Sequence, residues 1–198
     1  MQLIPAISDA GGPEPRPYTY SMKPEEERQF RKEMLELAAD AVGARAKQLA
    51  AQVIAQPKPS APPSRKKAVP KPTQPHFQDV ELHAFDLSNS NEAVLVLTAT
   101  AQMPPSADNQ QTPTADLQYF VTLVARQDIN ADLHKAFSNV ADSQHLDVLW
   151  RIEFIDAVDV DGDGRGELLF RQVSDAGSAF VVYRVIGDQL YALFQGTP

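Results

Sequence analysis

Residues 158–170 read VDVDGDGRGELLF, and this stretch decides the fold because a related pattern occurs earlier in the chain. Residues 85–97 read FDLSNSNEAVLVL and align with it without a gap, as a polar turn followed by an apolar run. Residues 119–128 then match 179–188, and the extra length of the first copy falls in a loop at 101–115, which we expect to be mobile and exposed. A repeated pattern of this kind indicates an internal duplication of one structural unit.

Each copy has the composition of short β-strands. Runs rich in Val, Leu, Phe and Tyr alternate with turns that contain Gly, Asp and Asn. Each copy is therefore predicted to form a four-stranded antiparallel meander, the unit from which propeller blades are built. The segment 130–146 is compatible with a short helix or with a strand and a loop. The predicted strands are 78–86, 92–100, 117–126, 147–158, 166–173, 179–186 and 189–194.

Two blades cannot close a propeller, for which about four is the lower limit. Two sheets packed face to face, self-association, and further blades outside the chain all remain open, and the first needs nothing more than these residues. We therefore expect a mainly β fold in which two propeller-blade-like antiparallel four-stranded meanders pack together. This β domain is predicted at 77–198, with repeat 1 at about 77–138 and repeat 2 at about 147–196.

One amphipathic α-helix is predicted ahead of the β domain, at 21–56. Pro24 suits the first helical position, and the acids at 25–27 suit the positive end of the helix dipole. Such a helix docks either on its own domain or on a second copy, so self-association through 21–56 is one possible partner interaction. Its apolar face is predicted to comprise Phe30, Met34, Leu37, Ala38, Ala41, Leu49 and Val53.

The residues around the helix are predicted to be irregular. Residues 1–20 form an irregular N-terminal segment, and 57–76 form a linker rich in Pro and Lys. Because proline favours extended geometry, we expect this linker to act as a semi-rigid spacer. The alternatives for its basic residues are docking to an anionic surface, a localisation signal and an SH3-type ligand.

Composition excludes several classes of function. A formal net charge of −8 argues against nucleic acid as the main partner, since phosphate binding needs clustered Lys and Arg. The absence of cysteine excludes disulfides, thiolate metal sites and a cysteine nucleophile. No apolar run reaches the roughly 20 residues of a membrane span. The first residues do not have the pattern of a signal peptide, so the compartment stays open, with an upstream export signal as one possibility.

The loop that begins at Asp159 has the spacing of a cation site. Asp159, Asp161 and Asp163 stand at alternate positions, so that three carboxylates can converge as the chain curls. Glu167 stands at the ninth position, where it can close an oxygen cage directly or through water. An EF-hand would need a bidentate Glu at position twelve, and Phe170 stands there. The sequence predicts a calcium loop between two strands, distinct from an EF-hand.

This Asp-x-Asp-x-Asp-Gly-x-x-acid spacing resembles the calcium loops of FG-GAP and VCBS-type repeats, the integrin α-like kind of blade. The resemblance covers about 154–170 well and 77–100 in outline, and here Glu replaces the usual Asp at the ninth position. It implies one Ca²⁺ site, propeller-type blades, a protein or carbohydrate ligand, and a location outside the cytoplasm if an export signal lies upstream. The ligands that it implies are Asp159, Asp161, Asp163, Arg165 through its carbonyl, and Glu167.

A polar hairpin without metal is the alternative for this loop, because Asp-Gly dipeptides make tight turns unaided. Repulsion among the carboxylates favours calcium. The corresponding loop of the first copy, at 86–94, is called the twin loop. It keeps Asp86 but has Ser88, Ser90 and Val94 at the other ligand positions, so we expect it to be free of metal.

The sequence favours a non-enzymatic, calcium-stabilised β-repeat module for binding or structural roles. The alternative is a hydrolase or lyase acting on a polymer, with the calcium loop as scaffold. Glu153 and Asp156 are the candidate general acid and base, although carboxylates beside a calcium loop more often support its ligands. The four histidines show no metal-ligand spacing, and Asp142 and His145 form no recognisable triad with a serine. The aromatic residues of the second copy, Phe180 among them, are expected in the core, with Trp150 as a possible sugar platform.

Overall fold

The computed structural model describes residues 18–54, 74–104 and 117–197. Within these ranges the chain forms one helix followed by eight strands. They are α1 (Pro24–Ile54), β1 (His76–Phe85), β2 (Val94–Gln102), β3 (Gln118–Gln127), β4 (Leu133–Asp142), β5 (Arg151–Val158), β6 (Glu167–Val173), β7 (Ser178–Ile186) and β8 (Gln189–Gln195).

The strands form two four-stranded sheets, each with its strands in chain order. Sheet A contains β1 to β4 and sheet B contains β5 to β8, and every neighbouring pair is antiparallel. Each sheet is therefore a meander. The predicted mainly β fold of two packed four-stranded meanders after a single helix is confirmed.

The segment that the sequence left ambiguous, 130–146, contains strand β4, which pairs with β3 along its whole length. The hairpin before it turns at Asp128, whose Oδ1 accepts hydrogen bonds from the N–H groups of Asn130 at 2.8 Å and Asp132 at 3.0 Å. Sheet A consequently ends at Asp142 rather than at about residue 138. The first residues of the predicted strand 147–158 are turn, and β5 begins at Arg151.

Helix α1 covers one face of sheet A. Met34 and Val42 are fully buried, and other apolar residues of the helix are partly buried. They pack in one cluster with the residues of β2 and β3 that point the same way, including Leu95, Leu97 and Leu123. Of the two dockings that the sequence allowed, the helix lies on its own domain; the side chain of Val53, at the end of the predicted apolar face, lies outside what the structure describes.

The other face of sheet A packs against sheet B. Val94, Val96 and Val124 from sheet A form a second cluster with Leu168 and Phe170 from sheet B. Because successive side chains of a strand point to opposite faces, β2 must be apolar on both faces to contact the helix and sheet B at once. This requirement explains the continuous apolar run at the start of β2.

The outer face of sheet B carries apolar side chains that no described residue covers. Phe180 is 53% exposed and Phe194 is 57% exposed. The prediction that Phe180 belongs to the core is wrong, because Val181, its neighbour on β7, points inward and takes the core position. Trp150 precedes β5 and is half-buried.

Parts of the predicted organisation lie outside the described residues, namely most of the linker at 57–76, most of the loop at 101–115, and residues 1–17. The described end of the N-terminal segment pairs with β1, since Thr19 bridges Phe85 and the N–H of Tyr20 donates to the carbonyl of Ala84 at 2.9 Å. Helix α1 lacks the apolar length needed to cross a membrane, and it is the one helix among the residues described.

Candidate metal centre

The loop between β5 and β6 lies at one end of sheet B. Gly162 and Gly164 have φ of 75° and 83°, the left-handed region that glycine adopts without strain. These two glycines let the chain curl so that the acids at the first, third and fifth positions turn toward one side. The local sequence therefore builds the loop that its spacing predicts.

The aspartates of the loop accept hydrogen bonds from its own backbone. Asp159 accepts from the N–H of Gly162 at 2.7 Å through Oδ1, and from that of Gly164 at 2.9 Å through Oδ2. Asp161 Oδ1 accepts from the N–H of Asp163 at 3.3 Å, and Asp163 Oδ1 accepts from that of Arg165 at 2.9 Å. The Oδ2 atoms of Asp161 and Asp163 are thus left for another cation or donor.

Glu167 closes the loop from the first position of β6. Its side chain is completely buried, and its Oε2 accepts a hydrogen bond from the N–H of Val160 at 3.0 Å. A buried carboxylate needs a compensating charge. Its other oxygen, Oε1, faces the same side of the loop as the free aspartate oxygens.

Asp159, Asp161 and Glu167 each offer one oxygen, and these oxygens lie within 4.8 Å of one another. Calcium binds oxygen at about 2.3–2.6 Å, so ligands on opposite sides of the ion lie about 5 Å apart. The separation therefore suits a hard cation. Asp163 lies outside this group, and the contact made by Arg165 here is that of its N–H with Asp163.

Arg184 on β7 supplies the cation that the loop now contains. Its Nη2 lies 2.8 Å from Asp161 Oδ2, 3.1 Å from Asp163 Oδ2 and 2.6 Å from Glu167 Oε1. The hydrogen bond to Glu167, followed by that to Asp161, raises the pKa of Arg184 above its ordinary value. Sequence spacing could not reveal Arg184, because this residue lies on another strand and joins the loop only through strand pairing.

Tyr18 and Gly166 bring the N-terminal segment to the same loop. A Cβ at Gly166 would lie 2.9 Å from Leu87 Cδ2 and 3.0 Å from Tyr18 Cγ, so the position has no room for a side chain. Burial, and then the negative charges of Asp159, Glu167 and Asp163, raise the pKa of Tyr18. The C-terminal end of the loop is thus packed and lies in a strongly negative environment, whereas residues 160–165 are exposed.

The twin loop repeats this backbone geometry and keeps only the first of the ligand carboxylates, Asp86. Asp86 accepts hydrogen bonds from the N–H groups of Ser90 at 3.0 Å and Asn91 at 2.9 Å, much as Asp159 accepts from its own loop. Asn89 and Asn91 have φ of 54° and 63°, and they align with Gly162 and Gly164. The Oγ atoms of Ser88 and Ser90 lie 2.7 Å apart, at the positions where Asp161 and Asp163 stand in the second loop.

The two loops touch each other. The N–H of Gly166 donates to the carbonyl of Leu87 at 2.7 Å, and Asn89 Nδ2 donates to the carbonyl of Gly164 at 3.2 Å. Each β-repeat therefore contributes one loop to the same end of the molecule.

The pairing of the third strands, β3 and β7, with their neighbours matches different residues from those that the sequence alignment matches. Leu95 lies opposite Ala125 in sheet A, and its counterpart Leu168 lies opposite Tyr183 in sheet B. Arg126, one residue after Ala125, therefore corresponds to Arg184, whereas the alignment placed it over Ile186. Both third strands carry an arginine at the same point of the sheet.

The structure also brings together Asp142 and His145. Asp142 is completely buried and accepts hydrogen bonds from His145 Nδ1 at 2.5 Å and from Arg45 Nη2 at 3.0 Å. Burial alone would raise the pKa of Asp142, but the hydrogen bonds from His145 and Arg45 outweigh it and hold the pKa below its ordinary value. The contact between Arg45 and Asp142 ties helix α1 to the end of β4.

Glu153 and Asp156, the candidate acid and base of the enzyme alternative, have separate partners. Glu153 accepts hydrogen bonds from Arg171 and lies 3.1 Å from Arg151. Asp156 is exposed and accepts from the N–H of Ala157 at 2.8 Å. Neither residue contacts the loop at Asp159, so neither supports its ligands directly.

Comparison of the chain with protein-family models, with curated proteins and with solved structures finds no match. The geometry of the loop and its surroundings therefore carries the functional argument.

Proposed function

We propose that this protein is a non-enzymatic β-repeat module whose second repeat is stabilised by one calcium ion in the loop between β5 and β6. The observation that carries the proposal is the convergence of oxygens from Asp159, Asp161 and Glu167 within 4.8 Å. The ligand of the module is a protein or a carbohydrate, as the resemblance to FG-GAP and VCBS-type repeats implies.

The charge of the loop supports a divalent cation. Four carboxylates, those of Asp159, Asp161, Asp163 and Glu167, share the loop, and Arg184 returns a single positive charge to them. Like charges at this separation repel, and a divalent cation offsets the excess. The side-chain donors are all oxygens, which favours calcium or magnesium over softer metals.

Calcium suits the loop better than magnesium. Calcium accepts six to eight oxygens in flexible geometry, whereas magnesium requires near-ideal octahedral geometry and keeps several waters. Asp159, Asp161 and Glu167 would hold the ion, and the resemblance adds Asp163 and the carbonyl of Arg165. Bound calcium would offset much of this negative charge and fix the β5–β6 connection.

A structural role fits the surroundings of the loop. The aspartates hold the loop backbone, and buried Glu167 anchors it to the first residue of β6. The carboxylates that the sequence offered for catalysis are tied elsewhere, as Glu153 is by Arg171. These contacts favour a structural metal site that stabilises the fold over the active site of an enzyme that acts on a polymer.

Isothermal titration of calcium into the chelator-treated full chain tests the proposal. We expect one site per chain, weaker binding of magnesium, and loss of calcium binding in Asp161→Asn, which keeps the size of the side chain and removes its charge. Asp175→Asn is the matched control, because Asp175 is exposed in the turn between β6 and β7. Absence of calcium binding to the folded wild-type chain would refute the proposal.

A further inference from the structure

The three carboxylate oxygens that face Arg184 belong to predicted metal ligands. Asp161, Asp163 and Glu167 all contact one atom, Nη2 of Arg184, at 2.6–3.1 Å. We propose that Arg184 is the resident counter-cation of this loop, that it competes with calcium for these oxygens, and that it thereby sets the calcium affinity. This inference rests on the calcium binding proposed above.

Arg184 and a calcium ion cannot both make full use of these oxygens. The guanidinium nitrogen lies at hydrogen-bond distance from all three, and a second cation among them would meet its positive charge at close range. Arg184 has to give up some of these contacts for the oxygens to turn to a metal. The free energy of the arginine contacts is therefore subtracted from that of calcium binding.

The twin loop shows how the corresponding arginine behaves where serines replace the third- and fifth-position aspartates. Arg126 occupies the equivalent register position on β3, next to a loop that has Ser88 and Ser90 in place of the two aspartates. It bonds instead to Glu92 at 3.1 Å and to Asp188 at 3.3 Å. An arginine at this position therefore turns toward whichever acids are available, which are Glu92 of its own loop and Asp188 in the first repeat and the three loop carboxylates in the second.

A cavity beside the loop can accommodate the Arg184 side chain when it leaves the carboxylates. Its side chain is 19% exposed and lines a cavity of about 100 Å³ between the two repeats. Glu92, which carries a carboxylate, lines the same cavity. Movement of Arg184 toward Glu92 would keep the arginine paired and would carry a change at the loop across to sheet A.

Replacement of Arg184 by a neutral side chain of similar length is the direct test. In Arg184→Met we expect calcium to bind at least about tenfold more tightly, since the competing charge is gone, while the protein without calcium becomes less stable. Arg184→Lys keeps the charge but loses the planar fork, so we expect an affinity between those of wild type and Arg184→Met. Arg171→Met is the control, because Arg171 lies on the same sheet and pairs with Glu153 outside the loop.

Isothermal titration of calcium into the four full-length proteins separates this inference from the proposed function. Tighter binding in Arg184→Met with no change in Arg171→Met supports the competition. Equal or weaker binding in both Arg184 variants, in folded protein, overturns it while calcium binding itself stands. Absence of binding in all four proteins overturns both proposals. If Arg184→Met does not fold without calcium, Arg184→Lys carries the same comparison.

Discussion

Gly166 shows how closely the two repeats approach each other at the level of single residues. Its N–H donates to Leu87, and a Cβ there would lie 2.9 Å from Leu87 Cδ2 and 3.0 Å from Tyr18 Cγ. We predict that Gly166→Ala lowers the free energy of unfolding by about 1–3 kcal/mol, because the buried neighbours must shift. Urea denaturation measures this change.

Gly43 is the matched control for that substitution. It lies within α1, and a Cβ there would meet nothing within 4 Å. Gly43→Ala should stabilise the protein by about 0.5–1 kcal/mol, since alanine is the better helix former. A similar change in both variants would contradict the close packing at Gly166.

Asp142 makes the stability depend on pH. Because its pKa is held below the ordinary value of 3.8, the charged form stabilises the fold above that pH, and this contribution is lost as the pH falls through the lowered value. We predict that Asp142→Asn costs on the order of 3 kcal/mol at pH 7, since Arg45 then loses its buried partner. The difference in free energy of unfolding between Asp142→Asn and wild type should become smaller below about pH 4.

Thermal unfolding of both proteins between pH 7 and pH 3 checks this prediction. Asp175→Asn, in an exposed turn, should follow the wild type throughout. A difference between wild type and Asp142→Asn that stays constant down to pH 3 would show that Asp142 does not titrate as its contacts imply.

Spacing alone identified the residues of the loop, because the acids and glycines of one short segment need only the local chain to converge. Asp159, Asp161 and Glu167 come together as predicted. Arg184 and Tyr18 could not be found in this way, since their positions depend on strand register and on the path of the N-terminal segment. Local geometry can be read from the sequence here, but the balancing charge cannot.

Helix α1 is the element that covers sheet A. Met34 is fully buried against that sheet. We predict that Met34→Ala lowers the free energy of unfolding by about 2–5 kcal/mol, from lost burial and the cavity that remains. Lys47→Ala, on the exposed side of the helix, should change it by less than about 0.5 kcal/mol.

Denaturant unfolding of both helix variants measures the difference. A small effect of Met34→Ala would mean that the helix is not docked on sheet A as described. The helical period predicted this apolar face, but it could not decide between the chain's own sheet and a second copy.

The strands show which part of the element pattern is readable. Most were predicted near their observed positions because turns rich in Gly, Asp and Asn mark their ends. Strand β4 was ambiguous, since its sequence mixes polar and apolar residues without alternating regularly. Its first six residues are partly or fully exposed, and its last four are buried. Its pairing with β3 decides its structure, and such pairing is a tertiary effect.

At the scale of the whole molecule, the residues that the structure describes form three layers, with sheet A between helix α1 and sheet B. Val96 and Val124 of sheet A share one cluster with Phe170 and Leu168 of sheet B, so neither sheet completes its core alone. We predict a single cooperative unfolding transition for the two repeats. The far-UV circular dichroism and the fluorescence of Trp150, the chain's single tryptophan, should give coincident midpoints.

Separate unfolding of sheet A and sheet B would contradict this prediction. It would give different midpoints for the circular dichroism and the fluorescence. Phe170→Ala should lower the free energy of unfolding by about 3–5 kcal/mol, because Phe170 is fully buried between the sheets. Circular dichroism and fluorescence should report the same loss.

The duplication in the sequence predicted two packed meanders. It could not predict that the outer face of sheet B leaves Phe180 and Phe194 exposed, because alternation along a strand does not say which face is covered.

The central claim is that calcium stabilises this fold through the loop at Asp159. The most direct measurement is a thermal melt of the full wild-type chain in excess calcium and in chelator. Binding to the native state should stabilise it by about 2.7 kcal/mol when calcium is in hundredfold excess over its Kd, and the melting temperature should rise accordingly. Identical melting temperatures in calcium and in chelator would contradict the claim.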